Sequence, residues 1–213
     1  MTRLLILIPA LLLSQILFGQ KKVSSDPRRL FATEKETKQL ERSKDCIKHT
    51  SKTFTTRLKN YPFNMATQIQ LVSFKSNADT SSGWYYKDSL PRKNDTVCYS
   101  KLYELKNLSF SQVDKLTDLL YNYGYRMRLK DDGLIYVTTS PQCYNPRNAI
   151  LFLDSTGKVF EFIEICFQCQ KTKESSGKIN LGVMCNQKLD LLKNFFVRTG
   201  IKYGTAGRFT DQD

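Results

Sequence analysis

Residues 149–167 read AILFLDSTGKVFEFIEICF, and this stretch decides the fold. Two apolar runs, Ala149–Leu153 and Val159–Phe167, flank Asp154–Lys158, whose Asp, Ser and Gly-Lys composition is that of a turn. β-branched and aromatic residues on both sides of such a turn specify an antiparallel hairpin. The second run is apolar apart from Glu161 and Glu164, which places it in the interior of a sheet.

Upstream of the hairpin, Leu134–Val137 reads as another short strand. Gln68–Phe74 alternates polar and apolar residues as a half-buried strand does, and Val97–Leu105 reads as a further strand. Asn77–Asn94 is rich in Ser, Asp and Lys and reads as a loop with an aromatic patch at Trp84, Tyr85 and Tyr86. Ser109 and Gln112 form a capping box before a helix whose apolar face is Val113, Leu116, Leu119, Leu120 and Tyr123, with Gly124 as its stop. Downstream, Leu189, Leu192, Phe195 and Phe196 share one face of a last helix that stops at Gly200. The expected fold is α+β: an antiparallel sheet with two main helices packed on one face, preceded by a polar helical lead-in.

The first 20 residues are set apart from all this. One positive charge, Arg3, precedes the apolar run Leu4–Leu13, and no further charge occurs until Lys21. The run contains Pro9, is broken at Ser14 and Gln15, and is too short to span a bilayer, so residues 1–20 read as a signal peptide with Gly19 as the small residue at the cleavage point. A secreted or periplasmic location follows, with no transmembrane anchor after cleavage. Residues 21–60 form a basic, partly helical lead-in, with a helix start at Ser24, Ser25, Asp26 and Pro27 and only sparse apolar residues after it, until Tyr61-Pro62-Phe63 breaks it. Residues 61–213 form a single domain.

The formal net charge is +13, an excess that points to an anionic partner. Residues 21–59 hold 12 Lys or Arg against 5 acids, whereas residues 60–213 hold 20 against 15. The excess therefore sits mostly in the lead-in, where Glu34, Lys35, Glu36, Lys38, Glu41 and Arg42 alternate in sign as on a solvated helix face. The stretch therefore reads first as a solvated face or linker and names no partner, with an anionic envelope component as the alternative. Nucleic acid is not expected, because basic and aromatic residues are not interleaved as single-strand binders require.

Six cysteines remain after the signal peptide: Cys46, Cys98, Cys143, Cys166, Cys169 and Cys185. An even count in an oxidising compartment points first to disulfides. The hairpin brings its open ends together, so Cys143 lies near Cys166 and Cys169, and Cys185 before the last helix joins them. Three readings follow for this group. In one, Cys166 or Cys169 bonds Cys143 or Cys185. In another, the four thiolates bind zinc, for which a second C-x2-C pair is missing. In the third, Cys166 and Cys169 form a redox dithiol, without the helix start that usually activates one. Cys46 and Cys98 are the candidates for a second disulfide tying the lead-in to the sheet, with buried thiols as the alternative. No cofactor is expected, zinc being the sole alternative.

Other residues carry less. His49 is the only histidine and has no nucleophile motif around it. Glu161 and Glu164 are three apart on a strand and point to opposite faces, so they do not make an acid/base pair. Asp131-Asp132-Gly133 is a turn without a continuing series of calcium ligands, and Asp154–Lys158 lacks phosphate-loop spacing. Arg147, four residues after Cys143, is the candidate anion-binding group beside the thiols, with an ion pair to Glu161 or Glu164 as its structural alternative.

Cys143-x2-Pro146-Arg147, followed by Ala149-Ile150-x-Phe152-x-Asp154, Gly157-Lys158 and Ile165-Cys166-Phe167-x-Cys169, resembles a signature of exported bacterial proteins that have no assigned activity. The resemblance covers residues 97–204 and implies a bacterial origin and a shared site or staple at the hairpin. Members of that group carry histidine where this chain has Asn148, which favours a structural role for the cysteines here. The expected function is thus a non-enzymatic binding or envelope-associated domain with a cysteine-stapled hairpin. A thiol redox protein or other enzyme using Cys166 and Cys169 beside Arg147 is one alternative, and a zinc-stabilised interaction domain is another.

Overall fold

The computed structural model describes residues 31–76, 90–125, 135 and 143–206. The stretch read as a signal peptide, the expected helix start at 24–27, the aromatic patch at 84–86 and the expected turn at 131–133 lie outside these residues, as does the expected strand at 134–137 apart from Ile135.

The hairpin forms as β7 (Asn148–Leu153) and β8 (Val159–Cys166), in register from Asn148 opposite Ile165 to Phe152 opposite Glu161. Its turn is set by two residues. Asp154 Oδ1 accepts from the Thr156 amide at 2.8 Å and the Lys158 amide at 3.1 Å, and Gly157 takes φ +80°, where a side chain would be strained. Three further strands extend this pair to a five-stranded antiparallel sheet. These are β2 (Gln68–Phe74), β5 (Leu102–Asn107) and β9 (Lys171–Glu174), in the order β5-β2-β7-β8-β9.

One face of the sheet is covered by α3 (Phe110–Tyr121) and α4 (Lys188–Thr199), as the α+β reading requires. Leu116 and Leu120 of α3 and Leu192 and Phe196 of α4 meet Ile69, Leu71, Ile150, Phe152, Ile163 and Ile165 of the sheet in one cluster. Burying each such side chain contributes about 1.5–3 kcal/mol. The capping box forms as expected: Ser109 Oγ accepts from the Gln112 amide, and Gln112 Oε1 accepts from the Ser109 amide at 2.8 Å. Gly200 ends α4 in the left-handed conformation, φ +97°.

The second face is also buried, which corrects the half-buried reading of β2. The tight hairpin of β3 (Arg92–Lys93) and β4 (Thr96–Val97) turns through Asn94 and Asp95, both at positive φ, and lays Leu90 and Val97 over Val72, Phe74, Ala149, Leu151 and Phe162. Arg92 places its guanidinium 4.7 Å from the centre of the Phe162 ring. Polar residues of β2 therefore need partners. Gln70 donates to Asn107 at 2.9 Å and accepts from Tyr99 at 3.1 Å, and Ser73 donates to Glu104 at 2.7 Å.

Two further expectations change. Val97–Leu105 is not one strand, because a 3-10 turn at Tyr99–Lys101 separates β4 from β5. Gly124 does not stop α3, which ends at Tyr121 with Asn122 as its cap. It lies in β6 (Tyr123–Tyr125) opposite Ile47, where a Cβ would stand 2.8 Å from the His49 ring.

The end of α3 is completed by a residue with no local signal in the sequence. Lys188 is fully buried, and its ammonium donates to the carbonyls of Leu119, Leu120 and Tyr123 at 2.9, 2.7 and 2.7 Å. Burial lowers its pKa to about 8, so it remains charged at neutral pH and meets the negative end of the helix. Lys188→Met keeps the stem and removes the donors. It is expected to lower the unfolding free energy by about 3 kcal/mol, read by denaturant titration at pH 7; a loss below about 0.5 kcal/mol contradicts the assignment.

Candidate functional site

The open end of the β7–β8 hairpin gathers four of the residues singled out above. Cys143 and Cys169 form a disulfide, with Cα atoms 5.7 Å apart. Cys166, the first cysteine of the C-x2-C pair, is a free and buried thiol. It donates to the Asn145 carbonyl at 3.3 Å and accepts from the Cys169 amide at 3.2 Å. Asn148 pairs with Ile165, which places Arg147 across from Cys166, and Lys171 pairs with Cys166 on the other side. Burial pushes the Cys166 thiol up, while backbone hydrogen bonds and the Arg147 charge pull the other way.

Two residues before Cys166 and on the same sheet face, Glu164 is fully buried. It accepts from the Leu90 amide at 2.5 Å and from Tyr144 Oη at 3.0 Å. Burial and the Glu164 charge push the Tyr144 phenol far above its ordinary range. Glu161 faces the other way, as alternation requires, and accepts from Tyr61 at 2.6 Å, from Ser176 at 2.7 Å and from Ser175. Each glutamate is thus a framework acceptor, and the two do not face one another. Asn148 is fully buried on the helix face and donates to the Tyr203 carbonyl at 2.9 Å.

Cys185 does not join this group, and Cys46 does not pair with Cys98. Cys46 and Cys185 bond to each other across 139 residues, and Cys98 is a free thiol. The reason is the docking of the lead-in. Cys46 opens β1 (Cys46–Lys48), which pairs with β6, and Asn186 and Gln187, next to Cys185, hold the chain on either side of it. The Asn186 amide donates to the Lys44 carbonyl at 2.9 Å, Asn186 Nδ2 to the Glu41 carbonyl at 2.7 Å, and the Cys46 amide to Gln187 Oε1 at 2.7 Å. A second anchor lies at α2 (Phe54–Leu58), where buried Arg57 donates to Thr117 at 3.2 Å and pairs with Asp114.

These contacts fix α1 (Glu34–Ser43), a helix that starts at a Thr33–Glu36 capping box and buries no residue of its own. Lys35, Lys38 and Arg42 fall on one exposed side of it, with Glu34 and Gln39 beside them. Glu34 pairs with Lys38 at 2.5 Å. His49 is exposed and lies against Gly124.

Among the described residues, no three His, Cys, Asp or Glu side chains are grouped to hold a metal ion, and no helix is long and apolar enough to cross a membrane. The four-thiolate zinc reading is overturned by the disulfides themselves, which take up three of the four sulfurs in two separate bonds. Comparison of the chain with protein-family models, with curated proteins and with solved structures finds no match.

Two measurements check this arrangement. Thiol titration of denatured, unreduced protein is expected to find two free thiols, on Cys98 and Cys166, and a peptide map to link Cys46 to Cys185; a Cys46–Cys98 link contradicts it. The Tyr61–Glu161 contact has two pH limbs. The hydrogen bond to Glu161, then burial and the Glu161 charge, push Tyr61 up to about 12. Burial acts to raise Glu161, but hydrogen bonds from Ser175, Tyr61 and Ser176 outweigh it and hold the carboxyl below its ordinary range. A raised phenol stabilises the fold below its unfolded pKa of about 10, and this is lost as pH rises through about 12. A lowered carboxyl stabilises it above about 4.3, and this is lost as pH falls. Tyr61→Phe is therefore expected to be less stable than the parent at pH 7, with the gap narrowing below pH 4 in acid unfolding curves. A constant gap across that range contradicts the coupling.

Proposed function

We propose that the protein is an exported, non-enzymatic binding domain that presents the basic side of α1 to an anionic component of the cell envelope. The observation that carries this reading is the way α1 is held. A helix with no fully buried residue gains little stability from packing, and at ten residues it is too short to persist alone in water. Yet a disulfide and the hydrogen bonds from Asn186 fix it to the domain. What that attachment preserves is an exposed row of Lys35, Lys38 and Arg42.

Export is supported by the signal-peptide pattern of residues 1–20 and by the use of four cysteines in two disulfides, which form in oxidising compartments. The non-enzymatic part is supported by the buried glutamates, each occupied by framework hydrogen bonds. The hairpin signature, which resembles one in exported bacterial proteins, agrees with a staple at Cys143–Cys169. The cations act by counterion release and by attraction to a negative surface, worth about 1 kcal/mol each near an anionic bilayer.

Co-sedimentation with vesicles containing phosphatidylglycerol tests this. The whole mature chain is expected to bind them and to ignore phosphatidylcholine vesicles, with affinity falling as salt rises. Substituting Lys35, Lys38 and Arg42 together by Gln is expected to weaken binding about 100-fold. Equal binding by the triple variant, or no binding to the anionic vesicles at low salt, rejects the proposal.

A further inference from the structure

The cysteines at the open end of the hairpin hold chemistry that a staple does not use. Cys143 and Cys169 are bonded, and the free Cys166 lies three residues before Cys169. The Cys169 amide donates to Cys166 Sγ at 3.2 Å, which sets the free sulfur against the bonded residue. In register, Cys166 stands between Arg147 and Lys171, so negative charge formed on its sulfur has a cationic residue on either side. The three sulfurs differ in access: Cys166 and Cys169 are each 1% exposed, whereas Cys143 is half-buried.

We propose that this cluster is a thiol–disulfide exchange site, in which the buried thiol of Cys166 trades places with the bonded sulfur of Cys143 and the released Cys143 thiolate attacks a disulfide of a second molecule. Cys166 gives its proton to solvent and its thiolate attacks Cys169 Sγ. The Cys166–Cys169 bond forms as the Cys143–Cys169 bond breaks, and the electron pair leaves on Cys143. One disulfide and one thiol exist before and after, so the step needs no oxidant. Cys143 thiolate then displaces one sulfur of the incoming disulfide, forming a mixed disulfide and releasing a thiolate that takes up a proton. The site thereby converts an inaccessible thiol into an accessible one. Because the attacking sulfur is buried, exchange is slow at neutral pH and quickens as the thiolate fraction grows.

Oxidised glutathione serves as the probe, with the whole mature chain carrying Cys98→Ser, incubated between pH 7 and 9, quenched in acid, alkylated in denaturant and digested with trypsin. Cleavage at Lys130, Arg147, Lys158 and Lys171 separates Cys143 in residues 131–147 from Cys166 and Cys169 in residues 159–171. The expected products are residues 131–147 carrying glutathione and residues 159–171 closed by an internal disulfide, formed about tenfold faster per pH unit. Cys166→Ser should give neither. Should that variant fail to fold, Cys166→Ala provides the second reading and should likewise give neither product. The proposal is overturned if residues 131–147 stay linked to 159–171 at every pH, if glutathione is found on Cys166 with the Cys143–Cys169 bond intact, or if Cys166→Ala still yields glutathione on residues 131–147.

Discussion

A sheet covered on both faces has no solvent side on which to place its polar groups, and the arrangement of this domain follows from meeting that constraint strand by strand. The two central strands, β2 and β7, are buried almost throughout, yet carry Gln70, Ser73 and Asn148. Each reaches a partner that another part of the chain must supply: Asn107 and Tyr99, Glu104, and the Tyr203 carbonyl. The same requirement reaches β8, where Glu161 draws Tyr61, Ser175 and Ser176 together on the helix face and Glu164 draws Leu90 and Tyr144 together on the other. A buried charge without such partners costs several kcal/mol, so these contacts specify where each cover sits as well as holding it.

The covers themselves are unequal. On one face two long amphipathic helices supply most of the apolar area, and Lys188 closes the end of the first with its ammonium. On the other face the apolar cover is short, and it is supplemented by the Arg92 guanidinium over Phe162. Segments that neither layer holds by packing are fastened covalently. Cys46–Cys185 secures the lead-in, and Cys143–Cys169 secures the chain that enters β7.

What was legible in the sequence is what local chemistry determines. The turn at Asp154–Gly157, the Ser109–Gln112 box and the left-handed Gly200 each depend on residues within a few positions of one another, and their strands and helices form where the pattern places them. The opposite faces of Glu161 and Glu164 follow from alternation alone. Illegible was whatever depends on distant pairing. Nothing near Cys46 distinguishes Cys185 from Cys98 as its partner; β1 pairing with β6 and the reach of Asn186 decide it. β3 and β4 have two residues each, too few to show a period, so the second cover of the sheet leaves no pattern. Lys188 looks like any helical lysine until α3 and α4 are packed together. At the candidate site, closure of the hairpin was enough to bring Cys143, Cys166 and Cys169 together, but not to say which of the last two is bonded.

The bond between Cys46 and Cys185 also has a mechanical meaning. It joins points 139 residues apart, and closing a loop of that length removes roughly 5 kcal/mol of chain entropy from the unfolded state in the simplest account. A pull exerted through the N-terminal segment meets this bond before it meets β2, and passes directly to the start of α4. The five-stranded sheet, α3 and the β3–β4 cover lie inside the covalent loop, sheltered from the load, whereas α4 lies beyond it. A domain tethered by its basic helix to a moving surface would therefore transmit tension along its covalent link while its hydrogen-bonded sheet stayed at rest.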